Sequence, residues 1–102
     1  MRSSDPRATF CRRLREARVA AGLSQKQLGI KAGLDEFVAS TRVNRYEVGV
    51  HEPDLSMASR LANAASVPLA YFYADDDQAA TLILRFANLS RRAQRALVQS
   101  LV

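Results

Sequence analysis

The hydrophobic positions of this chain recur with the period of an α-helix, and no segment alternates convincingly as a β-strand would. The first stripe consists of Phe10, Leu14 and Ala17, and it predicts a helix from Thr9 to Ala20. Gly22 follows as a glycine that ends a helix. The polar positions of this helix are expected largely outside the stripe; they are Arg12, Arg13, Arg15 and Glu16. The pattern predicts an all-α fold.

Two further helices are predicted before Gly49. Ser24 is a good N-cap for a second helix that runs to about Ala32. Gly33 stops this helix and supplies a permissive backbone at the corner. A third helix should end near Glu47 or Val48, with Gly49 as its C-terminal stop.

The second and third helices are expected to cross at close range. Gly29 lies inside the second helix, where glycine costs about 1 kcal/mol relative to alanine, so we infer a packing reason for it. On the third helix, Val43 and Tyr46 are three residues apart and should face back toward Leu28 and Ala32. The polar and basic side chains of the third helix then point away from the protein core.

Helical periodicity continues to the end of the chain. Asp54 should cap a fourth helix, whose stripe is Leu55, Ala58, Leu61, Ala62 and Ala65. Val67-Pro68 begins a short fifth helix with Leu69 and Phe72. The Asp75-Asp76-Asp77 run is interpreted as negative charge at a helix N-terminus, not as a cation site. One or two tail helices follow, with Ser90 as a cap and apolar residues Leu82, Ile83, Phe86, Leu89, Ala93, Leu97 and Leu101.

These elements divide the chain into three segments. We expect a flexible N-terminal arm at residues 1–7, a helical domain at 8–74, and a helical tail at 75–102. The tail holds more apolar residues than one small domain needs to cover. It either packs back onto the domain or forms a self-complementary dimer interface.

The positive charge is confined to one half of the chain. Residues 1–51 contain ten Lys and Arg against five Asp and Glu, whereas residues 52–102 contain five of each, so the first half carries the whole net charge of +5. Excess positive charge is expected of a surface that faces phosphate. No apolar run is long enough for a membrane span, and no secretory signal is visible, so we expect a cytoplasmic protein.

Cys11 is the single cysteine, which excludes an intramolecular disulfide and a thiolate metal cluster. We interpret it as a small helix residue. The alternative is a redox sensor whose thiolate Arg12 and Arg13 would favour. A lone loop histidine, His51, is interpreted as polar surface.

Several short motifs occur in a fixed order between Phe10 and Tyr73, and in this order they resemble the phage-repressor-like (Xre or Cro/repressor type) helix-turn-helix family. The motifs are Leu14-Arg15-Glu16-Ala17-Arg18, Gly22-Leu23-Ser24-Gln25, Leu28-Gly29, Ala32-Gly33, Arg45-Tyr46-Glu47 with Gly49, Pro53-Asp54-Leu55 and Leu61-Ala62. The resemblance implies a five-helix DNA-binding domain whose third helix is the recognition helix.

The spacing departs from the family in one place. The interval from Gly33 to Glu47 is several residues longer than in the family, and the extra residues fall in Leu34–Ala39. They form either a longer turn or an extra turn of helix capped by Asp35. We favour the longer turn, with Ser40 as the N-cap of a recognition helix that begins at the next residue.

Carried over by position, the resemblance implies DNA contacts at Gln25, Lys26, Ser40, Thr41, Arg42, Asn44 and Arg45. Gln25 would bind a phosphate, helped by the positive end of its helix. The residues at the start of the recognition helix, with Arg45 one turn later, would reach base edges. Asn44 could touch a base or a phosphate. Arg18 and Glu47 match a paired arginine and glutamate that clamp the first helix to the recognition helix.

The sequence therefore predicts a sequence-specific DNA-binding transcriptional regulator that acts as a homodimer, with repression as the expected effect. Paired carboxylates, a nucleophile with its base and a phosphate loop are lacking, so no enzyme, cofactor or metal is expected. One alternative is an antitoxin-type regulator whose toxin partner docks on the C-terminal helices. The other is a protein-interaction adaptor that keeps the fold without DNA binding.

Overall fold

Six α-helices and one 3-10 turn make up residues 5–102, the part of the chain that the computed structural model describes, and no strand occurs there. The elements are α1 (Pro6–Ala20), α2 (Gln25–Lys31), α3 (Ala39–Val48), α4 (Leu55–Ala64), the 3-10 turn (Leu69–Tyr73), α5 (Asp77–Ala87) and α6 (Arg91–Leu101). The all-α prediction is confirmed. The predicted fifth helix is a 3-10 turn instead, and the tail contains two helices.

Helix α1 begins three residues earlier than predicted. The backbone N–H of Arg7 donates to Oδ1 of Asp5 at 3.0 Å, so Asp5 is the N-cap. Pro6 is tolerated as the first helical residue because its missing N–H would have no partner within the helix. Residues 5–7 are therefore a cap and the start of a helix, not part of a loose arm. Met1–Ser4, the rest of the predicted arm, lie outside the described residues.

Helices α2 and α4 begin at the predicted N-caps, Ser24 and Asp54. Ser24 and Gln27 form a capping box, in which each side chain bonds the backbone N–H of the other. The carboxylate of Asp54 accepts a hydrogen bond from the backbone N–H of Met57 at 2.8 Å. Gly49 ends α3 in the left-handed region, with φ at 83°, where glycine avoids the strain that a side chain would impose.

The core lies between α1, α2, α3, α4 and the 3-10 turn. Its largest fully buried side chains are Phe72, Leu14, Leu28, Leu61, Val43 and Thr9. The rings of Phe10 and Phe72 meet edge to face, with centroids 5.1 Å apart. The 3-10 turn thus closes the core over α1.

Several positions differ from the predicted stripes. Leu55 remains 69% exposed, and Met57 is buried on α4. Helical side chains tilt toward the N-terminus, so the side chain of the first residue of α4 projects past the end of the helix. Arg13, which was expected largely outside the stripe, is only 4% exposed.

Arg13 is buried because it connects α1 to the start of the tail. Its Nε donates to the carbonyl of Ala74 at 2.9 Å, and its Nη2 donates to Asp77 at 3.0 Å. Its guanidinium also lies over the ring of Tyr71, 5.5 Å from the centroid. Arg12 also bonds Asp77, and the two arginines hold the pKa of this carboxyl below its usual value. The first turn of α5 is therefore attached to the domain by charge.

The remainder of the tail is loosely attached. Ala80 is the one buried residue of α5, and α6 has none. Gln94 on α6 donates to the carbonyl of Phe86 on α5 at 2.9 Å. An apolar face formed by both helices is left at the surface.

Candidate nucleic-acid interface

The position of α3 is set by its contact with α2. A Cβ added at Gly29 would lie 2.7 Å from Cβ of Ala39 and 3.0 Å from its Cα and carbonyl oxygen. Because no side chain fits in this space, the backbones of α2 and α3 approach more closely than any other residue would allow. The predicted packing role of Gly29 is confirmed.

The segment between the corner and α3 is a turn, as favoured from the sequence. Leu34 is buried, and its N–H donates to the carbonyl of Gly29 at 2.9 Å. The carboxylate of Asp35 accepts a hydrogen bond from the N–H of Phe37 at 2.8 Å, and the carbonyl of Asp35 accepts one from Val38 at 3.1 Å. Asp35 thus orders the turn but caps no helix.

The predicted start of α3 is two residues late. The helix begins at Ala39, and Val38 stands at the N-cap without a side-chain hydrogen bond. Ser40 is therefore inside the helix and is not its cap. The reason is tertiary: Ala39 is fully buried against Gly29, so packing draws the first turn inward.

The exposed face of α3 carries the polar residues predicted to contact DNA. Ala39, Val43 and Tyr46 are buried against the core. At 100° per residue, the opposite face is centred on Thr41, Asn44, Arg45 and Val48, all of which are exposed. Ser40 is also exposed, at the flank of this face.

Arg42 lies at the other flank, on the side of Tyr46. Its Nη2 donates to the Tyr46 hydroxyl at 2.6 Å, and its guanidinium lies 5.8 Å from the centroid of that ring. Arg42 is nevertheless exposed. Since an arginine carries five N–H donors, the bond to Tyr46 orients the group and leaves donors for another partner. The i, i+4 spacing is the sequence signal for this contact.

The two residues of the predicted clamp meet in a buried ion pair. Nε and Nη2 of Arg18 lie 2.6 and 3.2 Å from the two carboxylate oxygens of Glu47. This bidentate geometry is among the stronger charge-assisted arrangements, and the Glu47 side chain is only 3% exposed. Arg18 also donates to the carbonyl of Leu23. The pair joins α1 to the last turn of α3.

Gln25 is bonded to the same carboxylate. Its Nε2 donates to Glu47 at 3.1 Å, a contact the sequence did not indicate. An amide group has two N–H donors and an acceptor oxygen, so the bond leaves one N–H for a further partner. Lys26 is exposed beside it at the start of α2. Glu47 therefore fixes the first residue of α2 and the end of α3 relative to each other.

Cys11 lies beside this region as a structural residue. Its thiol donates to the carbonyl of Tyr46 at 3.2 Å, and burial raises the pKa of the thiol. A raised pKa disfavours the thiolate, which argues against the redox-sensor alternative.

Within residues 5–102, no three His, Cys, Asp or Glu side chains are grouped so that they could hold a metal ion. None of the helices in this range is both long enough and apolar enough to cross a membrane.

Burial of the Arg18–Glu47 ion pair predicts a large effect of Glu47 on stability. Glu47→Ala should lower the free energy of unfolding by about 3–5 kcal/mol, because it leaves Arg18 buried without a partner. Replacing both residues (Arg18→Met with Glu47→Leu) should cost less than this single change. Glu52→Ala is the matched control, since its ion pair with Arg7 is exposed and should be worth less than about 1 kcal/mol. Urea unfolding measures the free energy of unfolding of each variant. Equal losses of stability in Glu47→Ala and Glu52→Ala would contradict the assignment of Arg18 and Glu47 as a buried ion pair.

Comparisons with known proteins agree with this geometry. A protein-family model described as helix-turn-helix matches residues 14–72. The solved structure titled "Crystal structure of transcriptional regulator BswR" is similar, with a TM-score of 0.84 and 42% sequence identity, covering 89% of this chain and 90% of that chain. The search of curated proteins gave no match. Because the profile matches more than half of the chain, this protein belongs to the helix-turn-helix family, of the phage-repressor-like (Xre) type.

Proposed function

We propose that this protein is a sequence-specific DNA-binding transcriptional regulator that inserts α3 into the major groove. The observation that carries the proposal is the exposed polar face of α3, centred on Thr41, Asn44 and Arg45 and held rigidly against α1 and α2. A helix presented in this way fits the width of the major groove. Membership of the helix-turn-helix family and the similarity to a protein titled a transcriptional regulator support it.

The side chains on this face suit base edges. Arg45 has the geometry for bidentate binding to guanine, and Asn44 for bidentate binding to adenine, each worth about 1–3 kcal/mol of discrimination. Thr41 offers a hydroxyl and a methyl group. Ser40 and Arg42 flank the face and are placed to reach either a base or a phosphate.

Phosphate contacts would come from the start of α2 and from the basic half of the chain. Gln25 has one N–H beyond its bond to Glu47, and Lys26 is exposed next to it. Contacts of this kind position the protein without reading sequence. Binding should therefore weaken as the salt concentration rises, because cations are released from the DNA on association. A DNA partner also fits the cytoplasmic location expected from the sequence.

The double substitution Arg42→Ala with Arg45→Ala tests the assignment. It should relax sequence preference and weaken binding to a duplex selected from random DNA by at least tenfold, because direct base contacts are lost. Arg92→Ala with Arg95→Ala removes the same charge from the polar side of α6 and is the matched control. Fluorescence anisotropy at two salt concentrations measures the affinity of both variants for the selected duplex.

Equal loss in the two double variants would show that only total charge matters, which contradicts recognition by α3. Absence of wild-type binding even at low salt would favour the adaptor alternative.

We further propose that the protein acts as a homodimer through α5 and α6. The apolar face of these helices borders a groove of about 700 Å³, with Leu82, Leu89, Val98 and Leu101 exposed. Helix α6 buries none of its own residues in the single chain, although its apolar positions recur with helical spacing. A partner face would cover them.

A two-fold dimer would also explain how one short helix gives useful specificity. Two copies of α3 would read half-sites about 34 Å apart, one turn of DNA. Occupancy of such a site within a promoter would exclude other proteins, so we propose repression as the regulatory effect. An antitoxin-type regulator would use the same face for a toxin.

Leu97→Asp with Leu101→Asp should convert the dimer to a monomer, because charge is placed in the apolar face. The helical content should stay unchanged, since neither side chain is buried in the single chain. Gln99→Asp adds a carboxylate on the other side of α6 and serves as the control. Sedimentation equilibrium measures the mass, and a wild-type chain that is monomeric at micromolar concentration would contradict dimerisation.

A further inference from the structure

Phe37 is an unusually exposed aromatic residue. Its side chain is 87% exposed, and among the large hydrophobic residues that the structure describes only Val102, at the chain end, is more so. Phe37 lies in the turn between the corner and α3. Exposed apolar residues scattered over a surface need no explanation, but this one adjoins the proposed DNA-binding face.

The turn holds Phe37 in place. The carboxylate of Asp35 binds the N–H of Phe37 itself, and buried Leu34 and Ala39 anchor the segment on either side. A side chain on an anchored backbone loses less conformational freedom on binding than one on a flexible loop. The exposure of Phe37 is therefore a feature of an ordered segment.

Phe37 lies close to the start of the helix that would enter the major groove. It precedes Ala39, the first residue of α3, by two positions, so its Cα lies within about 7 Å of that residue. It also precedes Thr41 by four positions, and the chain forms a turn over residues 36–38. The N-terminal residues of a recognition helix are the ones that contact base edges.

The charge of the turn argues against contact with the DNA backbone. Asp35 and Glu36 are acidic, and no lysine or arginine lies between Lys31 and Arg42. Segments that lie on phosphates are enriched in cations and hydrogen-bond donors. The apolar group in the major groove that matches a phenyl ring is the C5-methyl group of thymine.

We propose that Phe37 contacts the C5-methyl group of a thymine in each half-site, next to the bases that α3 reads. The inference rests on the proposed function and extends the specificity-determining surface from α3 into the turn before it. The preferred DNA then contains a thymine at one fixed position that no polar side chain of α3 selects.

The test begins with selection of binding sites for the wild-type protein from random DNA. Each thymine of the selected duplex is then replaced singly by deoxyuridine, which removes only the methyl group. At one position per half-site the wild-type affinity should fall about fourfold, the factor expected for one buried methyl-sized group. Phe37→Ala removes the ring from both subunits of the proposed dimer, so it should bind the thymine duplex about as weakly as the wild type binds a duplex with deoxyuridine at both positions, and it should show no further loss on either replacement.

Val102→Ala is the control for loss of an exposed apolar side chain, and it should keep the full sensitivity to deoxyuridine. Circular dichroism verifies that Phe37→Ala is folded, as expected for an exposed residue. The inference is overturned if wild type and Phe37→Ala respond equally to every replacement. It is also overturned if Phe37→Ala changes DNA bending and leaves methyl sensitivity intact, because the ring would then act as a wedge between bases.

Failure of the proposed function gives a different result. If selection enriches no sequence at all, DNA recognition itself is wrong, and this is seen before any thymine is replaced. If the protein binds a specific sequence but Phe37→Ala does not change its sensitivity to the thymine methyl group, the proposed function stands and only the inference about Phe37 is rejected.

Discussion

The close approach of α2 and α3 at Gly29 and Ala39 determines how the other helices of the domain are arranged. The space between them is too small for a Cβ at position 29. This contact decides where α3 begins, which of its residues are buried, and which face it turns to the solvent. A polar face on α3 has a defined orientation only because the opposite face is packed at this distance.

Arginines of α1 then fix the elements on either side of this pair. Arg18 holds the end of α3 through Glu47, and the same carboxylate holds Gln25 at the start of α2. Arg13 holds the first turn of α5 through Asp77. The buried Arg18–Glu47 pair contributes less to net stability than its geometry suggests, because both charges lose hydration, and Asp77, the partner of Arg13, is itself exposed. Their contribution here is orientation, since each bond joins elements far apart in the chain.

Local signals in the sequence predicted the elements well. Caps and stops act within one turn of a helix, so their residue types suffice to place an end. The ends placed in this way are those marked by Ser24, Gly49, Asp54 and Ser90. The predictions that were wrong depend on tertiary contacts. Ala39 starts α3 because of Gly29, and Arg13 is buried because Ala74 and Asp77 are its partners, which hydrophobic periodicity does not reveal.

The candidate site was predicted as a set of residues but not as an arrangement. Motif order indicated which side chains belong to α2 and α3. It did not show that Gln25 shares Glu47 with Arg18, or that Arg42 rests on the ring of Tyr46. Both contacts use side-chain rotamers that a one-dimensional pattern leaves undetermined.

Binding of DNA to the exposed face of α3 can be observed residue by residue in the amide chemical shifts on titration with duplex DNA. The largest changes are expected at residues 37–45 and at Gln25 and Lys26, with residues 77–101 little affected. Changes concentrated on α5 and α6, or no changes at low salt, would contradict it.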